Sequence, residues 1–326
     1  MGETFLYALR AILPILLIIL LGYVVMRIGS WDGEFYRQLN RLCFRLFLPV
    51  QLFCSVYAIE ELSDLNWRLV GFQFAGVLAC ALVGMLAAKL LVPDRRQKGV
   101  VVQAAFRSNQ AILGLPLAQG LGGEAAMAYA SVATSVCVPL FNLLAVLTLT
   151  YYGDGGKRPP AKVLLKRIVT NPLIIGALSG LLLAALRQAV PALDLRRLPS
   201  LYQAMQNLSK VASPVMLFVL GAALDFRAVR RLLPQLSLGI LLRLVAAPVL
   251  ILGAGILLRN PLGLTAVEMP TLITVCASPV AVSSAVMVQE IGGDDQLASQ
   301  LVVWSSVLSM GSVFVIVYLL RLWGLL

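Results

Sequence analysis

The sequence predicts an all-α integral membrane protein of ten transmembrane helices, arranged as two inverted halves of five helices each. Three observations support this fold class: the composition, the spacing of apolar segments, and similar motifs at matching positions of the two halves. Of 326 residues, 60% are hydrophobic and only 13% are charged. This balance differs strongly from that of a soluble globular chain.

Apolar runs recur along the chain at about the twenty-residue length that an α-helix needs to cross a bilayer. We place ten of them at residues 5–26, 38–58, 68–92, 99–121, 125–151, 166–188, 200–223, 232–258, 264–290 and 297–323. The connections are short, which leaves no room for a separate soluble domain. The first run lacks the basic flank and small-residue cleavage site of a secretory signal, so we expect a permanent helix.

Basic residues are unevenly distributed between the two sides of the predicted membrane. Alternate connections, counted from the first, hold sixteen Lys and Arg residues, whereas the other connections and the C-terminus hold six. The positive-inside rule then places the basic connections in the cytoplasm and both termini outside. We expect a bacterial inner (plasma) membrane protein whose net charge of +11 meets membrane lipid rather than nucleic acid.

Two pairs of similar motifs indicate that the halves are repeats. Residues 119–124 read Gln-Gly-Leu-Gly-Gly-Glu, and residues 289–294, 170 positions later, read Gln-Glu-Ile-Gly-Gly-Asp. Residues 48–53 read Leu-Pro-Val-Gln-Leu-Phe, and residues 213–218, 165 positions later, read Ser-Pro-Val-Met-Leu-Phe. The first pair falls where the fourth and ninth helices are predicted to end, so we interpret it as helix termination.

The second half is predicted to enter the membrane from the opposite side, because each half has an odd number of helices. The result is an inverted repeat about an axis in the membrane plane. We divide the chain into a first repeat (1–152), a cytoplasmic linker (153–165) and a second repeat (166–326). One Gly-Gly pair and one Pro-Pro pair end the apolar pattern within the linker.

The fourth segment contains a polar break. Four consecutive polar residues, 107–110, lie near its middle, and unwound backbone at this depth survives only when it lines a cavity or is buried in protein. An ordinary proline kink or an interhelical amide bond is the alternative. We assign three residues to a substrate site, Ser108, Asn109 and Gln110, and two to the helix break, Gly114 and Pro116.

The ninth segment contains a second break, at Ser278 and Pro279, 170 positions after the first. Two breaks that cross near the midplane would direct positive helix N-termini towards an anion. The nearby serines at 283 and 284 could instead bond only to their own helix. We assign Ser278, Pro279, Gln51 and Lys210 to the substrate site and Pro279, Pro49 and Pro214 to helix breaks.

Cations without acidic partners lie inside predicted helices. Arg107, Lys210 and Arg243 are such residues, whereas no Asp or Glu falls in the middle of a segment. A buried cation requires an anion or a path to water. We therefore interpret Arg107 and Lys210 as charges that balance an anionic substrate; the alternative is that long side chains reach the membrane surface.

The residue types present argue against several kinds of site. The chain has no histidine, and its five cysteines all fall within predicted helices, so we expect neither a zinc site nor a disulfide framework. We predict no cofactor and no metal. Coupling to a sodium ion, through carbonyls with Ser108 and Asn109, or to a proton, through a lysine, stays open.

The two breaks resemble motifs of the auxin efflux carrier family, which includes plant PIN-type carriers and bacterial malonate and malate permeases. The fourth segment is similar to the family pattern Asn-x-x-x-x-Gly-x-Pro-Leu from Asn109 to Leu117. The ninth is similar to Ala-x-Pro, at 277–279, followed ten residues later by a polar residue and Glu, at 289–290. The resemblance extends over nearly the whole chain.

The resemblance implies the inverted-repeat fold shared by sodium/proton antiporters and bile-acid symporters. Helices four and nine would cross in a transport domain, helices one, two, six and seven would form a scaffold, and homodimers are usual. Asn109 and the segment around Pro279 would line the substrate site. Plant members have Pro-Asn where this chain has Ser108-Asn109, so auxin specificity is not inferred, and the short linker gives no basis for regulation by loop phosphorylation.

The leading functional hypothesis is a secondary transporter that moves a small organic anion, a carboxylate, by alternating access. A non-transporting membrane sensor or scaffold with the same fold is one alternative. A cation exchanger is another, although it would require a mid-membrane carboxylate. An intramembrane enzyme has the least support, because neither histidine nor a mid-membrane acid is present to activate a nucleophile. Substrate identity and the direction of transport are not encoded in any motif we recognise.

Overall fold

The computed structural model describes residues 2–29, 31–58, 67–153, 160–265 and 268–326, with side chains from residue 13 onward except those at 161, 163 and 164. Part of the predicted linker, 154–159, lies outside the described residues. The described part of the chain is helical, and its β-structure is one isolated bridge.

The helices, in chain order, have the following bounds: α1 Gly2–Ile28, α2 Gly33–Leu42, α3 Leu48–Tyr57, α4 Trp67–Leu91, α5 Arg95–Phe106, α6 Leu115–Tyr152, α7 Ala161–Val169, α8 Pro172–Ala189, α9 Pro199–Ala222, α10 Ala228–Leu241, α11 Ala247–Leu257, α12 Arg259–Leu262, α13 Met269–Ala277, α14 Ser283–Ile291 and α15 Asp295–Leu322. Five-residue π-helical turns join α2 to α3, precede α6, and join α10 to α11.

Within the described residues, six helical stretches are long and apolar enough to cross a membrane: 33–57, 67–91, 110–152, 172–189, 228–257 and 295–322. A shorter apolar helix spans Leu13–Ile28. Two of the predicted segments, 99–121 and 264–290, are not continuous helices, because a non-helical stretch interrupts each of them, at 107–109 and at 278–282. These two divisions position the candidate site.

Short polar side chains fix where several helices begin. Asp32, Asp94, Asn171 and Asp294 each precede a helix and accept a hydrogen bond of 2.9 Å from a backbone amide in its first turn. Such N-caps satisfy amides that have no partner within the helix. The sequence thus marks these helix ends with a residue type whose side chain replaces a missing carbonyl.

The two repeated Gly-Gly pairs behave differently. Gly292 and Gly293, with φ of 120° and 139°, end α14, as the sequence predicts. Gly122 and Gly123 instead produce a kink inside α6, where Gly123 has φ of 69°. Glycine adopts such backbone angles without a steric penalty. The first copy of the motif therefore bends the chain where the second copy terminates a helix.

Four helices, α1, α3, α8 and α9, pack together, and we call them the four-helix group. Gly22 of α1 and Gly221 of α9 each lie against a backbone carbonyl of the other helix. Gly176 and Gly180 of α8 lie in the same way against the backbone of α3. Because a side chain at these positions would meet backbone, the small residues allow the close helix approach that is common in membrane proteins.

The remaining long helices form a second set, which we call the break-containing group: α4, α5, α6, α10, α11, α13, α14 and α15. The divided helices α5 and α13 lie inside it, and every residue of α13 is buried. The two groups meet where α1 packs against α15 and α6, and where α3 packs against α6. The candidate site lies along this boundary.

Candidate substrate site

The two helix breaks pair with each other through their backbones. One break follows α5, and the other lies between α13 and α14. The amide of Asn109 donates to the carbonyl of Pro279 at 2.9 Å. The amide of Ala281 donates to the carbonyl of Arg107 at 3.2 Å, which completes an antiparallel bridge. Each break thus satisfies polar backbone groups of the other, as non-helical backbone at membrane depth requires.

A cavity of about 90 Å³ lies beside the paired breaks, between the four-helix group and the break-containing group. Pockets for drug-sized ligands occupy roughly 300–1,000 Å³, so this cavity suits a much smaller molecule. Its polar lining comes from both groups of helices: Gln51, Ser55, Arg107, Ser108, Asn109, Thr134, Asn142, Ser213 and Ser283.

Asn109 presents an unused hydrogen-bond donor at this cavity. The residue is only 4% exposed, and its side-chain Nδ2 has no hydrogen-bond partner among the described residues. A buried donor without a partner costs about 1–3 kcal/mol. An acceptor atom of a bound ligand would remove this cost, so the side-chain amide of Asn109 is suited to hold an oxygen of a substrate.

Arg107 supplies a positive charge to the same cavity. It is 2% exposed, and its Nη2 donates to Asn142 Oδ1 and Ser283 Oγ, both at 2.8 Å. Its Nη1 contacts the sulfur of Met287. These partners are all neutral, and the described part of the chain places no carboxylate within ion-pairing distance of Arg107. The charge is therefore held in position without being neutralised.

Two helical stretches begin at the cavity wall. The π-helical turn that leads into α6 starts directly after Asn109, and α14 starts at Ser283. Residues from both starts line the cavity. Because a helix N-terminus carries a partial positive charge and unpaired amides, both stretches favour a negative group in the cavity.

The opposite helix ends, the C-termini of α5 and α13, converge on Arg243. Its Nε donates to the carbonyl of Ser278 at 2.7 Å and its Nη1 to that of Ala105 at 3.5 Å. Its Nη2 donates to the carbonyl of Val275. Arg243 is 1% exposed and does not line the cavity. It complements the negative ends of both divided helices.

Three of the predicted site residues lie behind the cavity wall rather than in it. Gln110 Nε2 donates to Thr274 Oγ1 at 3.2 Å, and Ser278 Oγ donates to the Thr274 carbonyl at 2.7 Å. Pro279 contributes its carbonyl to the bridge. These residues hold the two breaks against each other, whereas Ser108 and Asn109 reach the cavity.

The two predicted site residues outside the breaks differ in position. Gln51 lines the cavity, and its Nε2 donates to Ser213 Oγ at 3.1 Å, so one bond joins α3 and α9 at the cavity wall. Lys210 lies one helical turn before Ser213, outside the cavity, and its side chain is exposed. Of the two predicted charges, the structure therefore brings only Arg107 to the cavity.

The prediction of helix breaks at Pro49 and Pro214 is wrong. The helix of residues 33–57 continues through Pro49, and α9 continues through Pro214. A proline leaves one carbonyl unpaired and crowds the preceding turn, and a wider π-helical turn relieves this crowding. Such a turn ends two residues before each of three prolines: Pro49, Pro116 and Pro248.

The first break lies upstream of Gly114 and Pro116, which are themselves helical. Gly114 has a different role. A Cβ atom at this position would lie 2.8 Å from the Cβ of Thr274, so the glycine allows α13 to approach closely. The non-helical residues are instead those of the polar run and the stretch that includes Pro279.

Sequence reasoning did not identify Asn142 or Ser213 as cavity residues, and it assigned no role to Arg243. Asn142 is an isolated amide in an apolar segment, which is a recognisable signal for a functional or packing role. Arg243 is likewise a recognisable charge in an apolar segment, but its role could not be read from the sequence, because all its partners are backbone carbonyls, which every residue carries.

Comparison with known proteins identifies the family. Residues 7–317 match the family model described as "Membrane transport protein". An "Uncharacterized transporter" of Methanothermobacter thermautotrophicus is 26% identical over 316 residues, covering 96% of each chain. A protein named "Putative malonate transporter" from Rhizobium meliloti is 26% identical over 318 residues, covering 95% of each chain.

A solved structure gives the same fold. The sodium proton antiporter MjNhaP1 from Methanocaldococcus jannaschii superposes with a TM-score of 0.65 at 12% identity, covering 95% of this chain and 98% of the antiporter. The family match extends over nearly the whole chain, and the relatives are named as transporters. The chain therefore belongs to the membrane transport protein family, the auxin efflux carrier family that its motifs resemble, and it is a membrane transporter rather than an enzyme.

Proposed function

We propose that the protein is a secondary transporter of a small carboxylate, which binds in the cavity beside the paired breaks. The observation that carries this proposal is Arg107, a buried cation at the cavity with only neutral partners. The unused amide of Asn109 and two helix N-termini surround the same space. A carboxylate would accept from Arg107 and Asn109 and would neutralise the buried charge.

The small volume of the cavity supports a small acid as the substrate. It corresponds to the volume of about three water molecules, which is of the size of a short mono- or dicarboxylate. The name of the Rhizobium relative points to the same chemical class. Malonate is therefore the first compound to test.

Alternating access is supported by the position of the cavity between two groups of helices. We propose that the four-helix group is a scaffold and that the break-containing group moves against it, so the cavity faces each side of the membrane in turn. Gln51 and Ser213 close the cavity on the scaffold side. A homodimer would be formed through the scaffold.

The inverted five-plus-five repeat, with halves 1–152 and 166–326 and crossing fourth and ninth helices, is also part of the proposal. Its support is that segments at matching positions of the two halves meet beside the substrate cavity, as the two helix breaks do and as the motifs at 48–53 and 213–218 do. Ser108 pairs with Val280 in the bridge. Leu48 and Gln51, from the motif at 48–53, line the cavity together with Ser213 and Met216, from the matching motif at 213–218. We also propose that the protein resides in the bacterial inner membrane with both termini outside.

The cation-exchanger alternative has less support. Such a protein would offer the carbonyls of the divided helix ends to an ion, but Arg243 already donates to carbonyls of both α5 and α13. We propose that fixed arginine charge replaces a bound cation here, and that neither a metal nor another cofactor takes part.

A thermal-shift screen tests the proposal. Purified protein is heated with mono- and dicarboxylates, including malonate, with and without sodium and across pH. A ligand at a hundred times its Kd stabilises by about 2.7 kcal/mol. We expect a carboxylate to raise the Tm of the wild type but not that of Asn109→Ala. Stabilisation by amines or metal cations alone would overturn the anion hypothesis.

Flux measurements separate transport from sensing. Proteoliposomes containing the wild type are expected to accumulate labelled malonate faster than liposomes with Asn109→Ala. A non-transporting sensor would bind the carboxylate in the thermal-shift assay and yet show equal flux for the two variants. This result would support the proposed binding site and refute the proposed transport function.

A further inference from the structure

A second cleft, of about 290 Å³, opens at the basic end of α2. It lies between α2, the start of α5, and the segment that joins α14 to α15, which contains the repeated Gln-x-x-Gly-Gly-Asp motif. Three arginines line it, Arg37, Arg41 and Arg96, together with Asn40 and two carboxylates, Glu290 and Asp295. The substrate cavity does not share these residues.

One continuous helical stretch, residues 33–57, lines both spaces. Residues 37, 40 and 41 line the cleft, and residues 48, 51, 52 and 55 line the substrate cavity. Within each set the positions follow the three- and four-residue spacing of one helix face, and a π-helical turn joins the two sets. Asn40 and Gln51 are separated by about 16 Å along the axis, at 1.5 Å per residue.

Helix α14 repeats this arrangement on the opposite wall. Ser283, in its first turn, lines the substrate cavity, and Glu290, seven residues later on the same face, lines the cleft. Two facing helices thus extend from one space to the other. The cleft and the cavity lie in line rather than on unrelated surfaces.

Buried apolar side chains and two hydrogen bonds of Asn40 lie between the two spaces. Phe44 from the first helix and Val286 and Met287 from α14 are buried at this level. Asn40 Nδ2 donates to Glu290 Oε1 at 3.2 Å and to the carbonyl of Val286 at 3.4 Å. The bonds of Asn40 join the two walls directly below the cleft.

Asn40 also has an unmet hydrogen-bonding group. The residue is 1% exposed, and its Oδ1 has no partner among the described residues. A buried amide oxygen that lacks a donor is costly. Because the same residue lines the cleft, a water bound there beside an anion would donate to this oxygen, whereas the anion's carboxylate itself only accepts.

The three arginines outnumber the two carboxylates of the cleft by one, and they supply its charged hydrogen-bond donors. Arg96 donates to the carbonyl of Gly293 at 2.9 Å, which fixes its position at the cleft wall. Arg37 pairs with Glu34 outside the cleft. Arg41 forms neither an ion pair nor a side-chain hydrogen bond with the described residues. A free guanidinium matches the two oxygens of a carboxylate.

We propose that this cleft is a docking site for the carboxylate of the transported anion, at the basic end of the path to the substrate cavity. The inference rests on the proposed function. The anion first binds to Arg41 and Arg96. It then passes to Arg107 and Asn109 when the contact between Asn40 and Glu290 opens.

The test compares Arg41→Gln with Arg45→Gln in proteoliposomes. Arg45 is exposed on the same helix but does not line the cleft, so it provides a matched loss of charge. Initial rates are measured with labelled malonate, succinate and acetate at low and high salt, with substrate supplied from the basic side and then from the other side.

We expect Arg41→Gln to raise the KM about 3- to 10-fold from the basic side at low salt, because a local positive charge concentrates an anion there. The maximal rate from the basic side and the KM from the other side should stay unchanged, and high salt should reduce the difference. The maximal rate from the other side should fall by the same factor as the KM rises, because the ratio of Vmax/KM from the two sides is fixed by the transport equilibrium. Arg45→Gln should behave as the wild type. Arg41→Lys, which retains the charge, controls for a folding defect and should show a smaller rise.

The possible failures are distinguishable. If Asn109→Ala abolishes transport while Arg41→Gln and Arg45→Gln have equal KM values from both sides, the docking site is refuted and the proposed function stands. If the wild type shows no saturable transport of any of the three acids, the proposed function is refuted and the docking site with it. A KM rise of equal size from both sides would also refute a docking site.

Discussion

Two arginines buried in the break-containing group have contrasting surroundings. Arg243 directs its guanidinium to backbone carbonyls at the ends of α5 and α13. Arg107 directs its guanidinium to the side chains of Asn142, Ser283 and Met287 at the wall of the cavity. Neither has a carboxylate partner among the described residues. The partner atoms, rather than burial or charge, distinguish a structural arginine from one available to a ligand.

Local backbone geometry explains this difference. Arg243 lies in a π-helical turn between α10 and α11, within a continuous helix that packs against α5 and α13. Arg107 is the C-cap of α5 and has an extended backbone, with φ of −84° and ψ of 103°. It therefore leaves the helix at the break itself. Its side chain then lies beside the start of α14, where an anion would also be favoured.

The largest expected effect is that of Arg243→Leu. This substitution leaves carbonyls of two helix ends without their charged donor, and each unmet buried group costs about 1–3 kcal/mol. We expect loss of monodisperse protein on size-exclusion chromatography in detergent, or a marked fall in Tm. Arg243→Lys should recover part of the loss. A leucine variant with the wild-type Tm but no transport would show that Arg243 acts on the substrate instead.

The second expected effect is that of Arg107→Gln on binding. Removing a hydrogen bond to a charged group costs about 1.5–3 kcal/mol, which corresponds to a loss of carboxylate affinity of about 10- to 100-fold. The Tm without ligand should change little, because the partners of Arg107 are neutral. Titration of the thermal shift with malonate measures both quantities. A large fall in Tm with unchanged affinity would reverse the roles assigned to the two arginines.

The third prediction concerns Asn109, with Lys210 as its control. Asn109→Ala removes the free amide, and we expect it to abolish uptake while the protein still inserts and elutes as a single species. Lys210→Ala removes a charge that lies outside the cavity, so uptake should remain close to that of the wild type. Both are measured as initial malonate flux. Loss of flux in Lys210→Ala would restore the charge-balancing role that the sequence suggested for it.

The sequence predicted the breaks because polar residues and a proline interrupt long apolar runs at Ser108, Asn109 and Pro279. Such interruptions are costly at membrane depth, so the residue types alone reveal them. Pro49 and Pro214 showed where this reasoning fails. A proline predicts a strained turn, but whether the helix breaks depends on the backbone around it, and the π-helical turn before Pro49 absorbs the strain without a break.

The site itself was only partly predictable, because its contacts depend on which helices meet. Asn109 and Arg107 were identified from their polarity in an apolar segment, and Gln51 from its place in a repeated motif. Lys210 had the same polarity, but it lies one turn beyond the cavity. Asn142 lies in a helix for which no break at this level was predicted, and Ser213 precedes Pro214, where the helix continues instead of breaking. Their role emerges only when α6 and α9 are placed on opposite sides of the breaks.

The smallest expected effect is that of Ser283→Ala, which removes one of the two oxygens that accept from Nη2 of Arg107. Asn142 retains the other bond at 2.8 Å, so the guanidinium of Arg107 should stay at the cavity, although one bond fewer fixes its orientation. The lost bond is charge-assisted, but it holds Arg107 rather than the substrate, so only part of its contribution should reach binding. We expect a loss of malonate affinity of about 2- to 10-fold, well below that of Arg107→Gln. A double-mutant cycle between the two substitutions isolates the coupling between these side chains. Additive effects would mean that Ser283 acts on the substrate by itself, whereas an effect of Ser283→Ala that disappears in the Arg107→Gln background would mean that it acts by positioning the charge.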